Sequence, residues 1–136
     1  MIYYRALNLD RSSESRKNPD WVKQQWTRRH SRVLVLRNDK SLMRWPHADA
    51  SCPEVIQLAR ADVVDLVEEF EQLVFLGLDD QGPLFALDVS THHEARLNLC
   101  FGDGEFIDLR EVAWRLDAQH AANLAYARGL VFWNRH

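Results

Sequence analysis

Three sets of side chains in this 136-residue sequence have residue types that could do chemistry. The first is His92, His93 and Glu94, all of which can bind zinc. Adjacent side chains on a strand point to opposite faces, however, and no further ligand stands at the spacing of a zinc site. The sequence therefore predicts a solvated loop here and no metal-binding residue.

The second set is His47, Asp49 and Cys52, which contains a base, a carboxylate and a nucleophile. A catalytic set needs its nucleophile within hydrogen-bonding reach of the base in the folded chain. Closeness in sequence does not establish this reach. We expect structural or surface roles for these residues.

The third set is basic: Arg28, Arg29 and Arg32 lie close to Trp26. Basic and aromatic side chains together are typical of platforms that bind single-stranded nucleic acid. The simpler interpretation is a solvated surface, and contact with a phosphate or RNA is the alternative. A net charge of −3 gives no general attraction to nucleic acid or anionic membrane. Nucleic acid is therefore not an expected partner of this domain alone.

The positions of the cysteines and the hydropathy of the chain indicate the cellular compartment. Cys52 and Cys100 stand far apart and outside any Cys-x-x-Cys pair. Together with the lack of a leading apolar segment, this favours reduced thiols and a cytoplasmic protein. The longest apolar runs are too short to cross a bilayer, so we expect no membrane partner.

The first half of the chain predicts a helix followed by a hairpin. Residues 21–26 come after Asn18-Pro19-Asp20, whose capping side chain and early proline favour helix entry. Residues 31–37 and 41–45 flank a turn at Asn38-Asp39-Lys40, which predicts two paired strands. We expect the tryptophans of the helix to pack on the sheet.

Further short strands and helices follow. Residues 54–60 suggest a strand, and an Asp62 cap precedes apolar residues at helical spacing, namely Val63, Leu66, Val67 and Phe70. Buried strands are expected at 73–76 and 84–87 around a turn, and another at 97–101, where apolar residues alternate.

The C-terminal part is expected to be helical from Asp108, with a long helix over residues 117–133. One stripe of this helix has small residues that would let another element approach closely: Ala118, Ala121, Ala122, Ala125 and Gly129. Because the other side is apolar too, we expect burial within this domain or against a neighbouring one. The elements predict an α+β domain with a mixed or antiparallel sheet packed with helices.

Several short motifs also follow one another along the chain. They are Leu9-Asp10-Arg11 with Arg16 and Trp21, Phe75-Leu76-Gly77, Phe85 with Asp88, Asp108-Leu109-Arg110, and Trp133. Together they resemble the amino-terminal domain of NADH pyrophosphatases, which belong to the Nudix superfamily. Each motif is short, so the resemblance depends on all of the motifs together and on their order along the chain.

The resemblance implies a single domain over residues 1–136 with a rudimentary Nudix-like fold. A zinc ribbon and a catalytic Nudix domain would follow residue 136 in a parent protein that uses structural Zn²⁺ and catalytic Mg²⁺ or Mn²⁺. Enzymes of this family hydrolyse the pyrophosphate of NADH or NAD, some remove NAD caps from RNA, and they usually form homodimers. The implied partners are therefore the downstream domains, a second subunit and, for the parent, NAD(H).

A catalytic Nudix domain carries the box G-x5-E-x7-R-E-U-x-E-E-x-G-U, whose clustered carboxylates hold Mg²⁺ or Mn²⁺ against the diphosphate. Arg110-Glu111-Val112 imitates its centre, but Trp114-Arg115 replaces the glutamate pair. Gly102 and Arg96 also replace the upstream glutamate and the first glycine. We therefore predict no catalytic, cofactor-binding or metal-binding residue in this chain. For Asp108-Leu109-Arg110 we expect a carboxylate at a helix start beside a buried or bridging arginine.

These observations predict a non-catalytic structural or dimer-organising domain of an NADH pyrophosphatase-like hydrolase. One alternative is a stand-alone module that binds a nucleotide or RNA through Arg28, Arg29 and Arg32. Another is an assembly domain without a ligand.

Overall fold

The computed structural model describes residues 9–67, 72–92, 94–102 and 104–135. Within these ranges the strands are β1 (Arg32–Arg37), β2 (Lys40–Arg44), β3 (Glu54–Val55), β4 (Leu58–Ala59), β5 (Leu73–Asp79), β6 (Gly82–Asp88) and β7 (Glu105–Ile107). The helices are α1 (Pro19–Trp26), α2 (Arg60–Val63), α3 (Glu94–Phe101), α4 (Leu109–Val112) and α5 (Ala118–Arg135), and short 3-10 turns lie at Ser15–Lys17, Val64–Leu66 and Ala113–Arg115. None of the helices in the described ranges has the length and apolar character of a membrane span.

The sheet is mixed, with the strand order β7-β2-β1-β6-β5. β1 and β6 run parallel, with Arg32 opposite Leu84 and Leu36 opposite Asp88, and the other pairs are antiparallel. β1 and β2 are paired next to their turn. Farther from the turn, β3 pairs with β2 and β4 pairs with β1. The prediction of an α+β fold with a mixed or antiparallel sheet and a long C-terminal helix is confirmed, and the sheet is the mixed one of these two alternatives.

The pleat of the sheet sends alternate side chains into two separate cores. In β1, Leu34 and Leu36 face a core that α4 and α5 complete, with Leu124, Ala127 and Val131 from α5. Val33 and Val35 face the opposite core, which is covered by α1, α2 and α3. The sheet therefore lies between two helical layers, and both of its faces are buried.

Helix α1 forms and docks as the sequence predicts. The Asn18 side chain accepts hydrogen bonds from the backbone nitrogens of Asp20 (3.0 Å) and Trp21 (3.4 Å), which caps the helix. Trp21 packs edge-on against Phe75, with 5.4 Å between ring centroids, and Trp26 packs against Phe85 at 5.2 Å. The aromatic rings thus anchor α1 on the sheet.

The hairpin prediction is also confirmed. Asn38 and Asp39 adopt φ angles of 50° and 67°, the left-handed conformations that a two-residue turn between twisted antiparallel strands requires. Asparagine and aspartate tolerate this region better than most residues. The Asn-Asp sequence therefore sets the register of β1 and β2.

The strand predicted over residues 97–101 is wrong, because these residues lie in α3. Leu97 is buried and Phe101 packs edge-on against Phe106, with 6.2 Å between ring centroids. Residues four apart lie on one face of a helix and also on one face of a strand. An alternation over only five residues therefore does not distinguish a helix from a strand. Strand β7, which pairs with β2, was not predicted.

Three predicted boundaries also differ from the structure. Residues 54–60 contain two very short strands instead of one, and they end in α2. The helix expected from Val63 stops there and passes into a 3-10 turn, and Phe70 lies outside the described residues. The N-cap residue of α2 is Ala59 and not Asp62. The Asp62 carboxylate lies in the first turn and accepts a hydrogen bond from the Ala59 backbone nitrogen at 3.1 Å. β5 and β6 are longer than expected, leaving a turn of only residues 80–81.

Candidate functional site

The Leu9-Asp10-Arg11 motif packs on β5 at the edge of the sheet. The backbones of Asp10 and Leu78 exchange two hydrogen bonds of 2.7 Å. Gly77 permits this approach, because a Cβ atom there would lie 2.5 Å from the Asp10 carbonyl oxygen and 2.8 Å from Leu9 Cγ. The Leu9-Asp10-Arg11 and Phe75-Leu76-Gly77 motifs are thus two halves of one contact.

Arg16 joins this edge to the long helix. Its guanidinium donates hydrogen bonds to the Tyr126 hydroxyl (2.8 Å), to the Arg11 carbonyl oxygen (3.1 Å) and to the Phe75 carbonyl oxygen. The Arg11 guanidinium lies 3.9 Å from the centroid of the Tyr126 ring. Both arginines therefore fix α5 against β5. Tyr126 was not singled out from the sequence, where its only signal is a polar phenol among apolar helix residues.

Asp88 secures the turn of the β1–β2 hairpin. Its carboxylate accepts hydrogen bonds from the Ser90 backbone nitrogen (3.1 Å) and from the Ser90 hydroxyl. The same hydroxyl accepts a hydrogen bond from the Asn38 backbone nitrogen at 2.8 Å. Two further motif residues, Leu76 and Phe85, are fully buried on opposite faces of the sheet. The motif residues named so far are thus engaged in holding the fold.

Asp108 caps α4, as predicted from the Asp108-Leu109-Arg110 motif. Its carboxylate accepts hydrogen bonds from the Arg110 backbone nitrogen (3.0 Å) and from Arg110 Nη2 (2.8 Å). The side-chain hydrogen bond from Arg110 is the main reason why the pKa of Asp108 falls from 3.8 to about 2. Leu109 is buried, whereas the Arg110 side chain is 75% exposed. The arginine therefore bridges locally and is not buried.

A groove of about 410 Å³ lies between α4, α5 and the β1–β2 turn. It is lined by Asp39, Leu109, Ala125, Arg128, Gly129, Phe132 and Trp133. Phe132 is 50% exposed and Trp133 is 75% exposed, and their rings contact each other edge-on with 6.5 Å between centroids. Trp133 therefore does not pack into the core of this domain. We call this surface the α5 groove.

The basic residues near Trp26 do not form a continuous cationic surface. Arg32 pairs with Asp79 at 2.5 Å, and these side chains are only 14% and 8% exposed. Arg28 donates to the Gln25 side chain at 2.9 Å. Arg29 lines an open cavity of about 590 Å³ whose wall also includes Asp80. Acidic groups thus accompany Arg29 and Arg32, and the Trp26 ring is engaged with Phe85.

The two other sets from the sequence have structural positions. His92 is buried, with Nε2 2.8 Å from the Leu66 carbonyl oxygen, so the prediction of a solvated loop is wrong for His92. His93 lies outside the described residues. His47 and Asp49 are exposed. The Cys52 sulfur lies 3.1 Å from the Arg115 carbonyl oxygen and 3.2 Å from that of Pro53, so the two oxygens share its single proton as acceptors.

The segment that imitates a Nudix box does not fit a divalent cation. α4 ends at Val112, and Trp114 and Arg115 follow in a 3-10 turn. The Arg115 guanidinium lies 4.4 Å from the centroid of the Trp114 ring, and that ring is 75% exposed. Across the described part of the chain, no three or more His, Cys, Asp or Glu side chains are grouped so that they could hold a metal ion.

Comparison with known proteins adds one finding. The family model described as the NADH pyrophosphatase-like rudimentary NUDIX domain matches residues 30–133. A search of curated proteins gives no match to this chain. The matched range includes the Phe75-Leu76-Gly77 and Asp108-Leu109-Arg110 motifs, the α5 groove and all the described strands.

Proposed function

From the premise that the chain belongs to the NADH pyrophosphatase-like rudimentary NUDIX domain family, we propose that it is a non-catalytic structural domain of an NADH pyrophosphatase-like hydrolase. Its role is to hold the catalytic domain of the parent protein, or a second subunit, in a productive arrangement. The parent would hydrolyse the pyrophosphate of NADH or NAD, or of NAD-capped RNA, in the cytoplasm.

The observation that carries this proposal is the exposed apolar surface of α5. Helices already cover both faces of the sheet, yet Phe132 and Trp133 stay 50% and 75% exposed beside Ala125 and Gly129. Aromatic side chains are enriched at protein interfaces because they bury much apolar area at a small cost in side-chain entropy. A protein surface packed in the α5 groove would remove both rings from water.

The chemistry of hydrolysis would then reside outside this chain. Trp114 and Arg115 stand where a Nudix box needs carboxylates, and Asp108 is engaged in capping α4. When bound to the parent, Mg²⁺ or Mn²⁺ would neutralise the diphosphate and orient water, and Zn²⁺ would hold the ribbon. The residues of this chain would contribute positioning only.

An incubation of the chain with NADH and either Mg²⁺ or Mn²⁺ tests the proposal. We expect no reduced nicotinamide mononucleotide or AMP, while an NADH pyrophosphatase with an intact Nudix box serves as the positive control. Product at a rate comparable to that control would overturn the proposal. Any weak product should be compared with that of a Glu111→Gln variant, because Glu111 is the remaining carboxylate of the imitated box.

The alternative of nucleotide or RNA binding receives less support from the arrangement of charges. Asp79 engages Arg32, and Asp80 lines the same cavity as Arg29, so a phosphate would meet nearby negative charge. Titration with NAD and with a short RNA at two salt concentrations distinguishes this function. Binding that weakens with salt and disappears in an Arg28→Ala/Arg29→Ala variant would support it.

A further inference from the structure

The Arg11 guanidinium has hydrogen-bond donors without acceptors. It lies 3.9 Å from the centroid of the Tyr126 ring, and the residue is exposed. This cation–π contact holds the positive charge in place by its attraction to the ring. None of the guanidinium N–H groups donates a hydrogen bond to a described residue. The donors of a positioned cation therefore stay available to a ligand.

A second uncompensated cation lies beside the same ring. Arg16 donates to the Tyr126 hydroxyl at 2.8 Å and to the carbonyl oxygens of Arg11 and Phe75, and all three acceptors are neutral. In the ranges that the structure describes, no carboxylate forms an ion pair with Arg11 or Arg16. Because both guanidiniums contact one phenol, their charges are close enough to repel each other. An anion bound to both would replace this repulsion by attraction.

The acidic residues of the same segment have other partners. The Asp10 carboxylate accepts a hydrogen bond from the Ser12 backbone nitrogen at 2.9 Å. The Glu14 carboxylate lies 3.4 Å from the Lys17 ammonium group. Both acidic residues are exposed, so water and salt screen their charge. Neither of them therefore serves as the counter-ion of the two guanidiniums.

Two neutral donors on α5 accompany the arginines. The Tyr126 hydroxyl accepts the hydrogen bond from Arg16 and keeps its own proton, which it can donate. Asn123 lies three residues earlier, on the same side of the helix. It is only 7% exposed, and its side-chain amide makes no hydrogen bond within the described part of the chain. Buried polar side chains in native proteins are nearly always hydrogen-bonded, so this amide indicates an acceptor that comes from a ligand.

We propose that Arg11, Arg16, Asn123 and Tyr126 form a binding site for a phosphate group, either free phosphate or a phosphate monoester. Both kinds of ligand have a charge of about −2 at neutral pH, which matches two guanidiniums. Phosphate oxygens also accept the parallel N–H groups of an arginine and the O–H and N–H groups beside it. A carboxylate would leave one of the two positive charges uncompensated. The site shares no residue with the α5 groove, so it does not depend on the proposed structural function.

An NMR titration of the full chain tests the proposal, with inorganic phosphate, AMP and adenosine as separate probes at constant ionic strength. We expect saturable shifts of the Arg11 Nε–H and Asn123 side-chain amide signals with phosphate and with AMP, and none with adenosine. Equal affinities for phosphate and AMP would identify free phosphate as a sufficient ligand. Tighter binding of AMP would identify a monoester as the preferred source of the group. The absence of saturable shifts with both anions, or the same shifts with adenosine, would overturn the proposal.

Matched variants separate this site from a general attraction to charge. Arg11→Gln should weaken the binding of phosphate at least about tenfold, because a charged hydrogen-bond donor is lost. Arg11→Lys keeps the charge without the paired N–H groups and should recover only part of the affinity. Arg29→Gln removes the same charge from another exposed arginine and should leave the affinity unchanged. Equal weakening by Arg11→Gln and Arg29→Gln would refute the site, and the titration of the unsubstituted chain decides the proposal even if a variant unfolds.

Discussion

Replacing Gly77 by alanine should destabilise the fold, whereas the same replacement at Gly129 should stabilise the single chain. At Gly77 the new methyl group would lie 2.5 Å from the Asp10 carbonyl oxygen, well inside van der Waals contact. Either β5 must shift or Leu9 and Asp10 must leave the edge of the sheet. At Gly129 the methyl group would meet no described atom within 4 Å apart from its chain neighbours and the backbone of its own helix.

The size of the loss at Gly77 follows from the contacts that must yield. If the segment leaves, it loses the two backbone hydrogen bonds between Asp10 and Leu78, each worth about 1 kcal/mol. If it stays, the overpacked methyl group costs about 1–3 kcal/mol. By either route, Gly77→Ala should lower the free energy of unfolding by about 2 kcal/mol. Gly129→Ala should raise it by about 1 kcal/mol, the difference in helix propensity.

Urea unfolding followed by tryptophan fluorescence and circular dichroism measures both changes. The protein should be dilute enough to stay monomeric, so that any association through α5 does not enter the free energy. Equal dependence of the free energy on urea in all three proteins would show that the unfolded states are comparable. If Gly77→Ala unfolds at the same urea concentration as the original chain, the close approach of Asp10 is not what the glycine serves. A loss of stability for Gly129→Ala would show that its surroundings are not open.

Three further predictions concern charged groups. Arg16→Met should lower the free energy of unfolding by about 2 kcal/mol, because it removes several hydrogen bonds at once, and Arg16→Lys should recover little of this in urea unfolding. Arg32→Met should lower the free energy of unfolding by about 3–5 kcal/mol, because the Asp79 carboxylate is then left charged and buried. Adding Asp79→Asn should restore part of this loss. Strictly additive losses in the two single variants and the double variant would contradict the pairing of Arg32 with Asp79. Arg110 lowers the folded-state pKa of Asp108 from 3.8 to about 2. The ionised carboxylate therefore stabilises the fold above pH 3.8, and this contribution to the free energy of unfolding disappears as the pH falls through about 2. The stability difference between the chain and Asp108→Asn should shrink over that interval, and an NMR titration of the Asp108 carboxyl with its midpoint at 3.8 would refute the argument.

Local signals made α1 and the β1–β2 hairpin predictable. The Asn18 cap and the turn at Asn38 and Asp39 act through backbone atoms within a few residues, so the sequence contains the whole interaction. The buried strands were also predictable from their continuous apolar residues. The error at α3 arose because Leu97 and Phe101 satisfy both periodicities, and only their packing on the sheet selects the helix.

The contacts made by the motif residues could not be predicted in the same way. Arg16 and Tyr126 are 110 residues apart, and no periodicity links them. The need for glycine at position 77 comes from Asp10, which reaches β5 only in the folded chain. The resemblance to a family singled out these motif residues without giving their partners. Their roles became clear only when the distances were known.

The shortness of helix α4 explains why the segment that imitates a Nudix box does not align side chains along one helix face as a functional box does. A functional box places its carboxylates on one continuous helix, where they share a cation. In this chain α4 ends at Val112, and the 3-10 turn that follows has about three residues per turn, so side chains at 114 and 115 do not continue the helical face of Glu111. Leu109 and Val112 meanwhile pack into the core beside α5. The two apolar side chains of this segment thus help to hold α5 on the sheet.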